Sequence, residues 1–346
     1  MPRLWDVPVH DSTRVRDARV AAEEAAAAAG LDAARTADAA LVATELATNL
    51  LKHARGGRLV LDVVPAAGPG GPAAATAVQI AALDHGPGMA DVATALGDGF
   101  STAGSLGAGL GTCRRLADDF TVHSVPGRGT VAVARVGAAG ADGTGERVRV
   151  GGLNVPYAGA DHSGDAWTCV ADADRVTLMM ADGLGHGVEA ARASTAAVEA
   201  LRGAALLSPA AALARLDTAL RGTRGAAVAV AQLDGGVLRF AGVGNIGARL
   251  KEGDDWRPLL SRPGIVGVHR PGTLRETELP WDGDRLLVLH SDGLPSRWVP
   301  SADPGLLRGD PAVLAAVTIR DAGGPASPVR DDTAVAVLSP AARDRR

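Results

Sequence analysis

The sequence predicts an α/β (α+β) protein of two domains, an α/β sandwich followed by a second sandwich with antiparallel sheets. The chain has 346 residues, which is enough for two separate hydrophobic cores. Its first part alternates helices with short strands, whereas its second part is rich in strands with two helices among them. A glycine-rich segment of small residues separates the two parts, so we expect domains at 1–137 and 148–346, joined by a linker at 138–147.

Capping and turn residues divide the first part of the chain into elements. Ser12 is placed to cap the first helix and Gly30 to end it. β-Branched residues and leucines mark short strands, and the pair Pro126-Gly127 marks the turn between the last two. The resulting prediction has helices at 12–30, 32–54 and 109–118, and strands at 58–64, 77–83, 119–125 and 130–136.

The second part contains mainly strands. Two helical segments, at 187–205 and 209–221, lie within a series of short apolar segments of strand length. Helices embedded in such a series are typical of an α/β sandwich with antiparallel sheets. The predicted strands are at 148–155, 166–171, 175–181, 226–233, 236–242, 245–250, 284–290 and 333–338.

Composition and charge restrict the function classes. Apolar residues make up 47% of the chain and charged residues 21%, as in globular proteins. The net charge of −4 and the lack of a sustained basic run argue against nucleic acid as a partner. The N-terminus has no apolar signal-peptide core, and no apolar run approaches the ~20 residues that span a bilayer. We therefore expect a cytoplasmic protein that has no contact with a membrane.

A polar stripe on the second predicted helix is the first candidate site. Glu45, Asn49 and Lys52 stand beside an apolar stripe at three- and four-residue spacing, so they face one side of the helix. Two glycine-rich turns follow, DHGPGM at 84–89 after a strand and GAGLGT at 107–112 before a helix. Free backbone N–H groups and a positive dipole make a helix N-terminus suitable for binding phosphate. These three elements in this order predict a nucleotide site.

The motifs resemble the GHKL ATP-binding superfamily, and within it the RsbT/RsbW-type serine kinases of bacterial partner switching. ELATNLLKHA resembles the N box, DHGPGM the G1 box and GAGLGT the G2 box. The resemblance implies that Asn49 binds Mg²⁺ bridging the ATP phosphates, that Asp84 accepts a hydrogen bond from adenine, and that Glu45 is the general base. Lys52 is a candidate phosphate contact, because lysine is rare in this arginine-rich chain. The glycines that the resemblance places against the nucleotide are Gly86, Gly88, Gly107, Gly109 and Gly111.

Acidic residues at strand ends and tight turns form the second candidate site. Asp165, Asp182 and Asp292 stand in SGD, ADG and SDG motifs, and Asp331 and Asp332 directly precede a predicted strand. Without basic residues nearby, such carboxylates repel one another unless a cation neutralises them. Oxygen ligands without cysteine or converging histidine are those of Mg²⁺ or Mn²⁺ rather than zinc.

These acidic motifs resemble the SpoIIE/RsbX branch of the PP2C-like (PPM) serine/threonine phosphatases, over roughly residues 148–340. The resemblance implies a two-metal centre that hydrolyses a phosphoserine or phosphothreonine ester without a covalent phosphoenzyme. The metal ligands that it implies are Asp165, Asp182, the Gly183 carbonyl, Asp292 and Asp331. Asp332 ranks below Asp331 as a ligand, and His186 is open between a leaving-group acid and a structural turn residue.

Together the two resemblances imply a fused partner-switching regulator. Its first domain would phosphorylate a Ser/Thr of a STAS-domain antagonist phosphoprotein, in a sigma-factor regulatory module, and its second would remove that phosphate. The main alternative is a phosphatase whose first domain only senses nucleotide or binds a partner, as an anti-sigma type adaptor does. A third alternative makes both halves inactive scaffolds, which the complete set of aspartates disfavours. Because opposed activities on one chain need regulation, we expect binding at the first domain to bias the second.

Overall fold

The computed structural model describes residues 3–65, 76–97, 109–137, 148–157, 160, 162–172, 175–282, 284–295, 297–324 and 331–340. The predicted linker at 138–147 and Gly107 of the second glycine-rich turn lie outside these residues. The helices of the described residues are α1 (Thr13–Ala28), α2 (Ala33–Ala54), α3 (Val92–Ala95), α4 (Gly109–Leu116), α5 (Val188–Arg202), α6 (Pro209–Ala219), α7 (Pro304–Arg308) and α8 (Pro311–Ala322). Their strands are β1 (Trp5–Val9), β2 (Gly57–Pro65), β3 (Thr76–Leu83), β4 (Asp119–Val125), β5 (Gly129–Gly137), β6 (Val148–Val155), β7 (Asp165–Asp172), β8 (Arg175–Gly183), β9 (Ala226–Asp234), β10 (Val237–Val243), β11 (Gly247–Glu252), β12 (Asp255–Leu259), β13 (Thr277–Pro280), β14 (Leu286–His290) and β15 (Thr333–Pro340).

The first sheet consists of antiparallel strands in the order β1-β2-β3-β5-β4. Helices α1, α2 and α4 pack on one of its faces through a core that contains many alanines, such as Ala22 and Ala43. Alanine has no flexible side chain to order and favours the helix, so an alanine-rich layer forms at little entropic cost. Leu46 of α2 and Leu59 and Ile80 of the sheet fill the space between the layers.

Two further sheets stack face to face in the second part of the chain. Within the described residues their strand orders are β13-β10-β9-β8-β7 and β12-β11-β14-β15-β6, and the pairing is again antiparallel. Phe240, Leu250 and Leu289 belong to the core between the two sheets. Helices α5 and α6 cover the outer face of the sheet that contains β8 and β9, through side chains such as Leu201 and Leu213.

Helix α8 is buried between the first sheet and the sheet that contains β6 and β15. Its residues Ala312, Leu314 and Val317 are all at most 3% exposed. The helix contacts β6 and β15, and it also contacts β3, β4 and β5 of the first sheet. The layers therefore follow one another as helices, sheet, α8, sheet, sheet and helices, and α8 belongs to both cores.

An ion pair with polar neighbours joins the two parts of the chain at the start of α8. Arg135 on β5 donates hydrogen bonds to the carboxylate of Asp310 at 2.7 and 3.0 Å, and it also donates to Asp119 on β4. Its Nε donates to Gln79 Oε1 at 3.1 Å, and Gln79 Nε2 donates to the carbonyl of Gly152 on β6 at 2.8 Å. Burial disfavours the charge on Arg135, but the two carboxylates outweigh it and raise the pKa of the guanidinium. The partners satisfy most of the polar groups that this contact buries.

The predicted α/β class and its antiparallel sheets are confirmed, and most predicted elements occur with their ends shifted by a few residues. The sequence does not predict β1, α3, β12, β13, α7 and α8. Helix α8 has no polar face, so it lacks the periodic pattern that indicates an amphipathic helix. β12 and β13 are short strands at sheet edges. No helix in the described part of the chain is both long and apolar enough to cross a membrane.

Candidate metal centre and nucleotide site

Four of the predicted aspartates stand where strands of the two facing sheets begin or end. Asp165 opens β7 and Asp182 lies next to the end of β8, and the two residues are cross-strand partners. Asp292 follows β14, and Asp331 precedes β15, which pairs with β14. Because these strand ends meet at the same end of the two sheets, the structure brings the four side chains to one place.

These four aspartates line one cavity of about 260 Å³. Asp332 also lines it, together with Leu184, His186, Asn245 and Ile265. The described lining residues include no lysine and no arginine. The cavity is therefore strongly acidic, with a few apolar and neutral polar groups on its wall.

The electrostatics of the cavity favour a bound cation. Asp165 is 4% exposed, and its Oδ2 has no hydrogen-bond partner among the described residues. Burial, and then the charge of Asp182, raises the pKa of Asp165 well above its usual value. Burial, followed by the charges of Asp292 and Asp331, raises the pKa of Asp182 to about 7. A divalent cation offsets both the burial and the repulsion of these carboxylates, so the donor set fits Mg²⁺ or Mn²⁺.

The carboxylates of the cavity are spread over its wall. Within the described ranges, no three acidic, histidine or cysteine side chains are grouped closely enough to hold a metal ion by themselves. Mg²⁺ is usually bound through one or two carboxylates and keeps several waters. Coordination in this cavity would accordingly combine a few carboxylates with water and backbone carbonyls. Gly183, whose carbonyl is a predicted ligand, directly follows Asp182 at the end of β8.

Asp331 and Asp332 have different surroundings. Asp332 is 6% exposed, and its two carboxylate oxygens accept hydrogen bonds from the backbone N–H groups of Tyr157 and Gly164, each at 2.7 Å. It thereby fastens the segment before β7 to the start of β15 and positions Asp165. Asp331 is exposed. Its carboxylate accepts a hydrogen bond from the backbone N–H of Asp332 at 2.9 Å.

Two polar residues that the sequence does not single out orient the predicted ligands. Asn245 Nδ2 donates a hydrogen bond to Asp292 Oδ2 at 2.7 Å. The fully buried Ser291 hydroxyl accepts a hydrogen bond from the backbone N–H of Ala334 at 2.9 Å, and its interaction with the Asp165 carboxyl offsets part of the rise in the pKa of that group. Ser291 has a signal in the sequence, because it stands next to Asp292. Asn245 has none, since it lies in a loop far from every aspartate of the set.

Asp84, the predicted adenine contact, directly follows β3 and is 7% exposed. Its Oδ1 accepts hydrogen bonds from the backbone N–H of Gly86 at 2.7 Å and of Thr130 at 3.1 Å. Burial raises the pKa of Asp84, while these two bonds and the charge of Arg320 act in the opposite direction. The carboxylate is therefore held in one orientation at the base of the first glycine-rich turn.

Helices α2 and α4 bring the predicted magnesium ligand and the second glycine-rich turn together. A Cβ on Gly109 would lie 3.3 Å from Asn49 Oδ1, so the start of α4 approaches Asn49 closely. Glu45 stands one helical turn before Asn49, on the side of α4. Burial and then the charge of Glu45 raise the pKa of Cys113 in α4 to about 12.

The other residues predicted for the nucleotide are placed as follows. Lys52 is exposed on the last turns of α2, without a hydrogen bond or ion pair to other described residues. Gly111 is buried within α4. Gly107 lies outside the described residues.

The glycines of the first turn meet the protein's own packing. A Cβ on Gly86 would lie 2.7 Å from the Cα of Ala54 at the end of α2. A Cβ on Gly88 would collide with the carbonyl oxygen of Val125, and Gly88 has a φ of +68°. Packing against α2 and β4 is thus a sufficient reason for both glycines, whereas the sequence prediction ascribes them to the approach of a base.

The first glycine-rich turn also contacts the C-terminal end of α8. His85 Nε2 lies 3.1 Å from the carbonyl oxygen of Arg320, whose side chain is 1% exposed. In the turn between β4 and β5, Arg128 pairs with Asp321 at 2.8 Å. The segment that holds Asp84 is therefore fastened to the helix that packs against both parts of the chain.

Comparison with known proteins assigns both parts of the chain. Residues 9–135 match the family model described as a histidine kinase-like ATPase domain, and residues 172–339 match the model of stage II sporulation protein E, SpoIIE. The serine/threonine-protein kinase RsbT of Bacillus subtilis (strain 168) is 41% identical over 98 residues, which are 28% of this chain and 69% of RsbT. The chain belongs to the RsbT family. In this RsbT-family chain, a kinase-like GHKL domain is joined to a PP2C-type phosphatase domain of the SpoIIE family, as in partner-switching regulators.

Solved structures are similar to the RsbT-family chain over about half of its length. A chain from the bacterial stressosome, a modular system adapted to control secondary messenger signalling, is 30% identical with a TM-score of 0.50. The match covers 56% of this chain and 100% of that one. RsbX in complex with magnesium is 20% identical with a TM-score of 0.49, over 57% of this chain and 97% of RsbX.

Proposed function

We propose that this chain is a bifunctional partner-switching regulator. Its first domain, at 1–137, binds ATP and phosphorylates a serine or threonine of a STAS-type antagonist protein. Its second domain, at 148–346, removes phosphate from the same or a related protein by metal-dependent hydrolysis. The observation that carries the proposal is that four strand-end aspartates line one cavity, in a chain of which 98 residues are 41% identical to a serine/threonine kinase. The use of ATP and of a STAS partner places this function in the cytoplasm.

In the phosphatase domain, the side chains of the cavity would hold two Mg²⁺ or Mn²⁺ ions. The proposed ligands are Asp165, Asp182, the Gly183 carbonyl, Asp292 and Asp331. Bound there, the cations would supply a water that is nucleophilic at neutral pH and would neutralise phosphoryl charge. The chain contributes the orientation of the ligands, because Asn245 fixes the Asp292 carboxylate and Asp332 fastens the segment that carries Asp165.

In the GHKL domain, the proposed roles follow the geometry of α2 and its neighbours. Asn49, beside Gly109, holds the Mg²⁺ of ATP, and Asp84 accepts a hydrogen bond from the adenine amino group. Glu45 is the general base toward the acceptor hydroxyl. It lies one turn from Asn49 and hence on the same side of the helix. Support for Asp84 comes from its two backbone hydrogen bonds, which hold the carboxylate ready for a donor.

A second candidate function is a phosphatase that a catalytically inactive GHKL domain regulates by sensing nucleotide. The contact between His85 and Arg320 favours it, because the turn that follows Asp84 meets the helix shared by both cores. In this case ATP would change the phosphatase rate without being consumed.

One experiment on the full chain tests both halves. Phosphatase activity is measured as Mn²⁺-dependent release from p-nitrophenyl phosphate, and kinase activity as transfer from labelled ATP to a STAS-domain protein encoded beside this chain. We expect Asp182→Asn to lower the first rate by roughly 100-fold, since even indirect partners of a metal ligand commonly cost 10–100-fold. We expect Glu45→Ala to abolish the transfer and to leave ATP binding intact. Asp254→Asn, in an exposed turn, is the control for both rates.

The outcomes separate the alternatives. Unchanged Mn²⁺-dependent hydrolysis in Asp182→Asn would refute the metal centre, and unchanged transfer in Glu45→Ala would refute the general base. ATP binding without transfer, combined with a phosphatase rate that responds to ATP, would favour the nucleotide-sensing function.

A further inference from the structure

A negatively charged phosphate ester can bind at the acidic cavity only if a cationic group attracts it there. A phosphomonoester carries up to two negative charges at neutral pH, and the cavity wall in the described residues consists of carboxylates, neutral groups and His186. Bound cations offset part of the repulsion but are themselves held by the carboxylates. A guanidinium at the rim would favour the phosphoryl group over other anions and over neutral alcohols, because it matches two phosphoryl oxygens at once.

Arg224 stands at this rim, beside Gly185 of the cavity wall. A Cβ on Gly185 would lie 3.0 Å from Arg224 Nη1, so the guanidinium lies directly against the wall. The two segments are also joined through the backbone, because the N–H of Leu184 donates to the carbonyl of Gly225 at 3.0 Å. The position of Arg224 relative to the cavity is therefore set by main-chain contacts.

The segment that carries Arg224 is fixed on its other side as well. Thr223 Oγ1 donates to the carbonyl of Leu220 at 2.7 Å and accepts from the N–H of Gly225 at 3.0 Å. Gly225 has a φ of +80°, and a Cβ on it would come within 2.8 Å of Ile265 and Val268 side chains. These restraints reduce the conformational entropy that Arg224 loses when it binds a ligand.

The guanidinium of Arg224 has no partner among the residues that the structure describes. Arg224 is exposed, and it forms no ion pair or hydrogen bond with another residue of the described ranges. By contrast, Arg270 in the loop between β12 and β13 pairs with Asp217, and Arg192 on α5 pairs with Glu189. Arg224 forms no ion pair with the aspartates of the cavity either. All five of its guanidinium N–H donors are thus available to a ligand at the cavity mouth.

We propose that Arg224 anchors the phosphoryl group of the substrate at the mouth of the phosphatase site and determines its preference for phosphate esters. The inference rests on the proposed phosphatase function of the cavity. Arg224 acts on binding: its planar N–H groups pair with nonbridging phosphoryl oxygens and orient the ester toward the aspartates. Its loss therefore weakens the binding of substrate and of the phosphate product alike, and affects turnover less.

The test uses the full chain with saturating Mn²⁺ and compares Arg224→Ala and Arg224→Lys with the wild type. The control is Arg202→Ala, which removes an exposed arginine from the last turn of α5, about 20 Å along the helix from the cavity. For Arg224→Ala we expect the KM for p-nitrophenyl phosphate and the inhibition constant of inorganic phosphate to rise about tenfold, equivalent to about 1.4 kcal/mol. We expect kcat to change less than KM, Arg224→Lys to recover part of the loss, and Arg202→Ala to match the wild type.

A second readout does not depend on turnover. Inorganic phosphate should raise the melting temperature of the Mn²⁺-loaded wild type and of Arg202→Ala, and should raise that of Arg224→Ala less. Mn²⁺ affinity, measured by calorimetry, should be the same in all variants. Equal KM, equal phosphate inhibition and an equal thermal shift in Arg224→Ala would overturn the proposal. A wild type that binds phosphate through Arg224 without hydrolysing the ester would instead refute the proposed function.

Discussion

Asp62 lies on β2, opposite Gln79 of β3, on the face of the first sheet that turns toward α8. Alternation along the strand places it on the same side as Val60, which belongs to the core around α8. Burial raises the pKa of Asp62 to about 7, and a backbone hydrogen bond offsets only part of this effect. Arg135, two strands away in the same row, is already paired with Asp119 and Asp310. Asp62 is therefore a buried acid without a cationic partner in the described part of the chain.

The stability of the protein should depend on pH through Asp62. Its pKa is about 7 in the folded chain against 3.8 in the unfolded chain, so the folded state binds more protons between these values. Stability contributed by the protonated acid is thus lost as pH rises from about 4 to about 7. We expect Asp62→Asn to raise the free energy of unfolding at pH 8 by up to about 4 kcal/mol, and to change it little at pH 4.

Urea unfolding of the variant and of the wild type under identical conditions at each pH measures this difference. Asp254→Asn, in the exposed turn between β11 and β12, serves as the control and should leave the pH profile unchanged. If Asp62→Asn raises the free energy of unfolding no more at pH 8 than at pH 4, Asp62 does not have a raised pKa in the folded chain.

At the scale of elements, the sequence predicts the outer helices and most strands, but it does not predict α8. Helices α1 and α2 have an apolar and a polar side, so their periodicity is visible in the sequence. Over residues 311–317, helix α8 is apolar on all sides because it contacts sheets on both sides, and only its cap, Asp310 followed by Pro311, marks its start. An isolated segment of this kind does not differ in pattern from a buried strand.

The residues of the candidate sites also differ in how far the sequence predicts them. Aspartates such as Asp165 and Asp182 stand next to glycine at strand ends, and strand ends of stacked sheets meet, so their convergence could be predicted. Asn245 and Arg224 reach the cavity only through the folding of distant loops. Arg135 on a strand has the sequence pattern of a solvent-facing residue, and its buried role depends on α8. Tertiary contacts of this kind leave no local signal.

A mild change within α8 should loosen both cores. Ala316 is fully buried in the middle of α8, and we expect Ala316→Gly to lower the free energy of unfolding by about 1–2 kcal/mol, through helix propensity and the lost methyl group. Native-state hydrogen exchange should then accelerate in β3 and β5 as well as in β6 and β15. The matched control is Ala197→Gly in α5, which is equally buried but belongs only to the core of the second part.

In the Ala197→Gly control, exchange in the first sheet should remain as in the wild type. If Ala316→Gly likewise leaves exchange in β3 and β5 unchanged, α8 does not stabilise the first sheet.

At the scale of the whole molecule, the described residues form a single stack of layers in which the GHKL-type and PP2C-type parts of the chain share one internal helix. Contacts at both ends of α8 bridge the two parts: Arg135 to Asp310 at its start, and Arg128 to Asp321 at its end. The side chain of Arg135 is 19% exposed and that of Arg128 is 64% exposed. The two pairs are therefore expected to differ in strength, because water screens an exposed ion pair and leaves a buried one intact.

Removal of each arginine should separate these contributions. We expect Arg135→Ala to cost about 3–5 kcal/mol, because it leaves Asp310 and Asp119 without their partner at a buried contact. Arg128→Ala should cost less than about 1 kcal/mol, because that pair is exposed. Urea unfolding of the full chain measures both. A cost for Arg135→Ala that does not exceed the cost for Arg128→Ala would show that the contact at the start of α8 contributes little.

The position of α8 within the chain also determines when the first core is completed during synthesis. Strands β2, β3 and β5 leave the ribosome early, and one face of their sheet carries apolar side chains that α8 covers in the finished protein: Val60, Ala81, Leu83, Val131 and Val133. Helix α8 ends at Ala322, so this face stays uncovered while most of the remaining chain is made. Exposed apolar surface on such an intermediate promotes aggregation and chaperone binding. A nascent chain that stalls before residue 311 would thus expose the apolar face of this sheet. The kinase-like part of the chain would reach its final fold only after α8 of the phosphatase part has been made.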